Sequence, residues 1–299
     1  MSFASTCGIL LLDKPLGLSS NSAMQRVRHA FGRIKAGHTG SLDPLATGVL
    51  PICLGEATKV AGYLLDGDKE YEFTMHCGTR TATGDLEGEV VEQAPVPPDL
   101  AARLRSVLPA FTGSIRQVPP MYSALKRNGE PLYRLARQGI EVERASREIT
   151  IHRLELLEVS DAKASFRVRC SKGTYVRTLA EDVAAAAGTC AHLVVLRRTA
   201  VAPFEGQPVH PLESVLAAPA RIPLLQADAA LPHLPSVRLP LEAAARLRMG
   251  QKVAGGGEAR QGLARAYGPG GEFLGIAEIQ PDSRQGAVLK PVRLFNNLA

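Results

Sequence analysis

Two stretches of the chain combine residue types that could do chemistry. The first, Gly37-His-Thr-Gly-Ser-Leu-Asp-Pro-Leu-Ala-Thr-Gly-Val-Leu-Pro51, sets one carboxylate, Asp43, in a glycine-punctuated loop that leads into an apolar run. Loops carried on a rigid scaffold are where catalytic groups concentrate. Pro44 fixes the backbone after Asp43 and biases Asp43 itself toward an extended conformation. The same dipeptide also suits a plain turn, in which the carboxylate bonds its own backbone. The second stretch, Arg169-Cys-Ser-Lys-Gly-Thr-Tyr-Val-Arg-Thr-Leu-Ala-Glu-Asp182, ends a strand, turns at Lys172-Gly173 and opens a helix near Val176. Arg177 then falls in the helix's first turn, where the helix dipole disfavours a cation. A compensating anion is expected there, either a phosphate or a carboxylate such as Asp43. A merely solvated arginine is the plain alternative.

Other chemistries lack their residues. His38 and Asp43 make no metal site without further ligands, and no H-E-x-x-H, H-x-E or C-x-x-C occurs, so no metal is expected. The same gap excludes the zinc deaminases. There is no P-loop, no G-x-G-x-x-G after a strand and no G-x-S-x-G elbow.

The elements that must position these stretches can be read from periodicity. Residues 8–12 read as a buried strand, and Ser19 or Ser20 can cap a helix running to about Phe31, with Met24, Val27 and Phe31 on one face. Residues 36–48 read as a loop, 49–54 as a strand and 56–65 as a short helix. Residues 69–77 alternate, with Tyr71, Phe73 and Met75 on one face of a strand. A polar loop over 79–88, a strand over 89–93 and a helix carrying Leu100, Leu104 and Leu108 follow. Two strands, 147–159 and 164–171, then a helix over 176–187 and a strand over 191–202 complete this part. Strands and helices lack a regular βαβ rhythm, so an α+β domain around a largely antiparallel mixed sheet is expected. Residues 205–236, rich in proline, resemble a packed linker. Beyond it, a helix over 240–249 and strands over 262–267, 273–280 and 287–294 predict a small β-rich module, with glycine-rich turns at Gly255-Gly256-Gly257 and Gly268 to Gly271.

At 299 residues, about two domains are expected. The apolar fraction of 45% and charged fraction of 21% exclude wholesale disorder. Five widely spaced cysteines argue against a disulfide framework and fit a reducing compartment. No apolar run approaches the roughly 18 residues of a membrane span. The patch Gly8-Ile-Leu-Leu-Leu12 lacks a basic segment before it, so a signal peptide is not expected and a cytoplasmic location is. The net charge of +6 is weak, but its placement is informative. Residues 1–120 carry 11 basic and 12 acidic side chains, residues 121–204 carry 14 and 9, and residues 205–299 carry 10 and 8. The surplus lies mid-chain, the footprint of a polyanion partner or of a solvated basic face. It includes residues 117–148, where Lys126, Arg127, Arg134 and Arg137 stand among prolines and glycines; this segment is expected as a mobile basic excursion holding a short helix over 132–136.

The block Ala36-Gly-His-Thr-Gly-Ser-Leu-Asp-Pro-Leu-Ala-Thr-Gly-Val-Leu-Pro51, continuing to Gly55-Glu-Ala-Thr-Lys59, closely resembles the bacterial tRNA pseudouridine-55 synthases. So do Asp13-Lys14-Pro15, Lys69-Glu-Tyr71, Thr79-Arg-Thr-Ala-Thr-Gly-Asp85, Ser171-Lys-Gly-Thr-Tyr-Val-Arg177 and His192-Leu-Val-Val-Leu-Arg-Arg-Thr199, in the family's order over residues 8–204. The C-terminal module more weakly resembles the PUA-type RNA-binding domain; a packing domain is its alternative.

The resemblance implies a pseudouridine-synthase-type catalytic domain over 1–204, with 117–148 as a tRNA-contacting insertion, and a PUA-like domain over 237–299. It implies that one uridine in the T loop of tRNA is flipped from its stack and isomerised by a monomeric enzyme that uses neither cofactor nor metal. Asp43 matches the aspartate nucleophile, Arg177 the arginine paired with it, and Asp85 a second acid in the catalytic set that orients Arg177. A pocket that excludes water is expected around Asp43. Tyr71 matches the tyrosine that stacks on uracil and takes part in proton transfer. Tyr175 and Leu196 match pocket walls, and His38 a residue that holds the target nucleotide outside the stack. Lys126, Arg127, Arg134 and Arg137 are expected on phosphates. Two rivals stay open: a tRNA-binding or tRNA-folding protein without essential catalysis, and, more weakly, a nucleoside hydrolase.

Overall fold

The computed structural model describes residues 6–255, 261–282 and 286–295. Strand β1 (Gly8–Lys14) is buried on both faces: Ile9 and Leu11 join one core cluster, Leu10 and Leu12 another. A strand covered on both sides reads as a continuous apolar run rather than an alternation. Helix α1 (Ser20–Ala30) follows, capped by the Ser19 hydroxyl, which accepts from the Ser22 N–H at 3.1 Å. Strands β2 (Ala36–His38) and β3 (Ala46–Leu54) pair with each other, so the Asp43 loop is shorter than the expected 36–48. Ladder pairing there overrides the glycines that read as loop. The helix expected over 56–65 is a 3₁₀ turn, Gly55–Val60, followed by one α turn, α2 (Ala61–Leu64). Gly62 inside it is a poor helix former.

Strand β4 (Lys69–Cys77) alternates as expected and buries Tyr71, Phe73 and Met75. Strands β5 (Thr79–Thr81) and β6 (Val90–Gln93) pair and enclose the loop that carries Asp85. After α3 (Leu100–Val107) comes β7 (Gly113–Gln117), an edge strand that the sequence pattern does not announce because most of its residues are polar and partly exposed. The basic segment folds as a small hairpin, β8 (Lys126–Arg127) and β9 (Glu130–Pro131), and α4 (Leu132–Arg137). Strands β10 (Arg147–Ser160) and β11 (Lys163–Cys170), helix α5 (Val176–Ala186) and strand β12 (Ala191–Val201) follow.

Residues 205–236 do more than connect. Strand β13 (His210–Pro211) pairs parallel to β1, and α6 (Leu212–Ala217) buries Leu212 and Val215 in the core beside α1. Leu225 bridges to Ile9, and Ala227, Ala230 and Leu231 are buried. The prolines that read as a linker separate short elements whose apolar residues complete the main core.

The large sheet has nine strands in the order β13-β1-β3-β12-β4-β11-β10-β7, with β2 on β3. Only β1–β13 and β3–β12 are parallel, so the sheet is mixed and largely antiparallel, as expected. Helices α3 and α5 cover β4, β10, β11 and β12 on one face. The parallel β3–β12 ladder sets Leu196 level with Ala46 and Arg198 level with Gly48. Gly48 has φ +101°, and a Cβ there would lie 2.1 Å from the Arg198 carbonyl oxygen, so only glycine permits this approach.

The C-terminal module contains β14 (Ser236–Arg238), α7 (Leu241–Arg248), β15 (Val253–Ala254), β16 (Gly262–Tyr267), β17 (Phe273–Asp282) and β18 (Gly286–Leu294). They form a five-stranded sheet in the order β14-β16-β17-β18-β15. Two residues of the expected glycine turn, Gly256 and Gly257, lie outside the described residues. Phe273, Ile276 and Phe295 share a core cluster with Ile9, Val49 and Val60. Lys59 Nζ donates to the Leu294 carbonyl at 2.7 Å and lies 5.7 Å from the centre of the Phe295 ring. All five cysteines are free thiols. No helix among the described residues is long and apolar enough to cross a membrane.

Candidate active site

The Asp43 loop is held from below by buried polar groups. The Ser20 hydroxyl accepts from the Leu42 N–H at 2.7 Å and donates to the Leu42 carbonyl at 3.0 Å. The Ala46 N–H closes a turn on the Asp43 carbonyl at 3.0 Å, and the Gly17 N–H reaches the Pro44 carbonyl at 2.8 Å. Arg198, 1% exposed, donates from Nε to the Val49 carbonyl at 2.7 Å and from Nη2 to the Gly40 carbonyl at 2.8 Å. Alternation along β12 could have found it, because Leu196 and Arg198 share a face while Arg197 points out. Lys14 is fully buried and donates from Nζ to the Leu18 carbonyl at 2.6 Å and the Pro15 carbonyl at 2.9 Å. Burial pushes its amine down to about 8, against the pull of the Asp43 carboxylate.

Helix α5 starts at Val176 and delivers Arg177 to the loop. Its Nη2 lies 3.0 Å from Asp43 Oδ2 and donates to the Tyr122 carbonyl at 2.7 Å. Its Nη1 lies 3.5 Å from Asp85 Oδ2 and donates to the Thr83 carbonyl at 2.8 Å. The anion expected at this helix start is therefore a pair of carboxylates. They differ in setting: the Asp43 side chain is 47% exposed, that of Asp85 5%. The water-excluding pocket expected around Asp43 is not closed in the protein alone, because the loop projects its carboxylate to the mouth of a cavity. Asp85 stands behind Arg177, where its Oδ1 accepts from the Thr83 hydroxyl at 2.5 Å and the Glu87 N–H at 3.0 Å. It is not among the residues lining the cavity, and its link to the cavity runs through Arg177.

The cavity measures about 250 Å³, and its walls include Asp43, Tyr71, Ser123, Tyr175, Arg177 and Leu196. That falls just below the usual range of ligand pockets, about 300–1,000 Å³. Tyr71 is 9% exposed, and the charge of the buried Arg198 acts on its phenol. Burial raises the phenol above its ordinary value, so it is protonated at neutral pH. Burial also raises the phenol of Tyr175, the residue that caps α5. Five of the residues expected at the site thus converge on one cavity. His38 does not: it lies on β2 opposite Ile52, where burial and the Arg198 charge lower its imidazole. Lys126, Arg127, Arg134 and Arg137 are exposed on the hairpin and α4, beyond Tyr122 in the chain. Among the described residues no group of three or more His, Cys, Asp and Glu side chains is placed to hold a metal.

Glu181, one turn beyond Arg177, is half-buried, and burial raises its carboxyl to about 7 against the charges of Arg80 and Arg177. Folded, it keeps its proton to about pH 7; unfolded, only to its ordinary 4.5. The fold thus loses stability as pH rises through that window. Glu181→Gln is expected to raise the melting temperature at pH 8 by about 1.5 °C, for about 1 kcal/mol after solvent screening, and to change it little at pH 5. Melting curves at the two pH values check this; equal shifts would contradict it.

Comparison with known proteins gives three matching descriptions along the chain. TruB family pseudouridylate synthase (N terminal domain) matches residues 28–176, tRNA pseudouridylate synthase B C-terminal domain matches 177–245, and pseudouridine synthase II TruB, C-terminal matches 235–295. The chain is 49% identical over 297 residues to the tRNA pseudouridine synthase B of Stutzerimonas stutzeri, covering 97% of this chain and 96% of the relative. It is 50% identical over 295 residues to that of Aromatoleum aromaticum, covering 98% and 94%. Among solved structures it resembles a chain in the crystal structure of a Cbf5–Nop10–Gar1 complex, with 26% identity and a TM-score of 0.73 over 99% of this chain and 86% of the other.

Proposed function

The chain belongs to the TruB family of pseudouridine synthases, and from that premise we propose that it converts the uridine at position 55, in the T loop of tRNA, to pseudouridine. The observation that carries the reading is the Asp43 carboxylate held 3.0 Å from the Arg177 guanidinium, both facing a cavity walled by Tyr71, Tyr175 and Leu196. A base inside a folded T loop is out of reach, so it must be flipped, at a cost of a few kcal/mol of stacking. Stacking on Tyr71 returns about 1–3 kcal/mol, and the apolar wall of Leu196 and the Tyr175 ring take the rest of the base. The flipped nucleotide also covers Asp43, which supplies the water exclusion that the free protein lacks.

Asp43 acts as the nucleophile: an Oδ forms a covalent bond to the substrate and is later released, as carboxylates do in retaining glycosidases. The N1–C1′ bond breaks, the base turns over, C5 bonds to C1′, and the C5 hydrogen leaves as a proton while N1 gains one. Nothing is oxidised and the product is an isomer of the substrate, so the reaction calls for no redox cofactor. Arg177 holds the Asp43 carboxylate aimed through their ion pair. Asp85 and the Thr83 and Tyr122 carbonyls fix Arg177. Tyr71 takes part in proton transfer. His38 helps hold the nucleotide outside the stack from its place on β2.

The basic segment over 117–148 grips tRNA phosphates through Lys126, Arg127, Arg134 and Arg137, and the C-terminal module serves as a PUA-like RNA-binding domain. The enzyme works as a monomer in the cytoplasm on the T arm. Replacing Arg127 and Arg134 by alanine is expected to weaken tRNA binding and to reduce the slope of log affinity against log salt by about 1–2. An unchanged slope would remove these side chains from the interface. For the activity itself, the purified protein is incubated with an unmodified tRNA transcript and with one lacking the T arm. One pseudouridine per full transcript and none in the truncated one is expected; modification of both would overturn the substrate assignment.

A further inference from the structure

Gln117 is the last residue of β7, at the sheet edge, opposite Arg147 of β10, and it is 3% exposed. Both polar atoms of its carboxamide bond to one other residue. Oε1 accepts from the Tyr175 N–H at 2.8 Å, and Nε2 donates to the Tyr175 carbonyl at 3.1 Å. The side chain thus imitates a neighbouring strand and pairs the backbone of Tyr175 on both sides. Tyr175 caps α5 in an extended conformation and has no side-chain cap of its own. Two residues on, Arg177 donates to the carbonyl of Tyr122, five residues beyond Gln117. The stretch between β7 and the basic hairpin is therefore fastened to the start of α5 at both ends: Gln117 to Tyr175, and Tyr122 to Arg177.

We infer that Gln117 is a positioning residue for the reaction, fixing the start of α5 so that Tyr175 stands in the cavity wall and Arg177 meets Asp43. This rests on the roles proposed above for Tyr175 and Arg177. Tyr175 is the junction between strand and helix, where the chain has its fewest internal backbone bonds. A buried amide is well suited to hold it, since each polar atom finds its partner. Without those two bonds the Tyr175 N–H loses its partner, its carbonyl keeps only the Leu179 N–H at 3.0 Å, and the helix start relaxes. A shift of about 1 Å at a reacting group costs on the order of 100-fold in rate.

Gln117→Met keeps the side-chain volume and removes both bonds; Gln117→Glu keeps an acceptor for the Tyr175 N–H and loses the donor. Turnover and KM for tRNA are measured by tritium release from tRNA carrying 5-tritiated uridine, below the lowest melting temperature of the set. Gln117→Met is expected to lower kcat by about 10- to 100-fold with KM within about three-fold, and Gln117→Glu to fall between it and wild type. In a double-mutant cycle, adding Gln117→Met to Arg177→Lys is expected to cost no more than about three-fold further, because Gln117 acts through the residue already replaced. If Gln117→Met does not fold, Gln117→Glu takes its place in the cycle. A kcat within two-fold of wild type, a loss confined to KM, or additive losses in the cycle would each overturn the inference while leaving the isomerase reading intact. Absence of tritium release by the wild-type protein would instead sink that reading.

Discussion

Asp43→Asn is expected to lower turnover by about 10⁴-fold or more while leaving tRNA affinity within about three-fold. The asparagine keeps the shape of the loop and an oxygen for Arg177 Nη2, now 3.0 Å from Asp43. An amide cannot form and release the covalent bond that the carboxylate forms, so the loss falls on the chemical step. The fold has little reason to suffer, because Asp43 is half-exposed and the loop is fixed through Ser20, Gly17 and Arg198 rather than through its side chain. Tritium release and filter binding on the same tRNA separate the two quantities. A variant that binds poorly and turns over normally once saturated would place Asp43 in recognition and not in catalysis.

Arg177→Ala is expected to cost both activity and stability. The guanidinium is 8% exposed and meets four acceptors: Asp43, Asp85 and the carbonyls of Thr83 and Tyr122. Removing it leaves the Asp85 carboxylate, 5% exposed, without its cation. Breaking a buried pair from one side costs about 3–5 kcal/mol, because an uncompensated charge stays behind. Arg177→Lys keeps the charge, but one ammonium cannot span acceptors arranged around a planar fork. It is expected to fold, to bind tRNA and to turn over about 100-fold more slowly. A double variant, Arg177→Ala with Asp85→Asn, is expected to recover much of the lost stability and none of the activity. Chemical denaturation and single-turnover rates measure the two effects; a fully active Arg177→Lys would show that the fork geometry is not used.

Much of this was readable before the structure, for identifiable reasons. Strand β4 announces itself by strict alternation, and α1 by its serine cap and its Met24 and Val27 face. The misfit of a cation at the start of α5 pointed to a carboxylate partner, and the family motifs marked which one. Less legible were features that depend on long-range pairing. Strand β7 is a short polar edge whose strand character comes from its register with β10. Residues 205–236 look like a linker because composition registers prolines and not the burial of Val215 and Leu231 beneath them. Alternation along β12 sets Arg198 on the face of Leu196, but only the parallel β3–β12 ladder places it under the Asp43 loop. Glutamine is common on surfaces, so nothing local distinguishes Gln117 from a solvated side chain; its partner is 58 residues away. The exposure of Asp43 was also beyond reach, since how far a loop projects its carboxylate depends on what the rest of the fold puts above it.

The most direct test maps pseudouridine at single-nucleotide resolution in unmodified tRNA treated with wild-type protein and, in parallel, with Asp43→Asn. The account predicts pseudouridine at the T-loop uridine with the wild type, no other new pseudouridine in the molecule, and none at all with the variant. Pseudouridine at that position after treatment with Asp43→Asn, or modification elsewhere by the wild type, would contradict it.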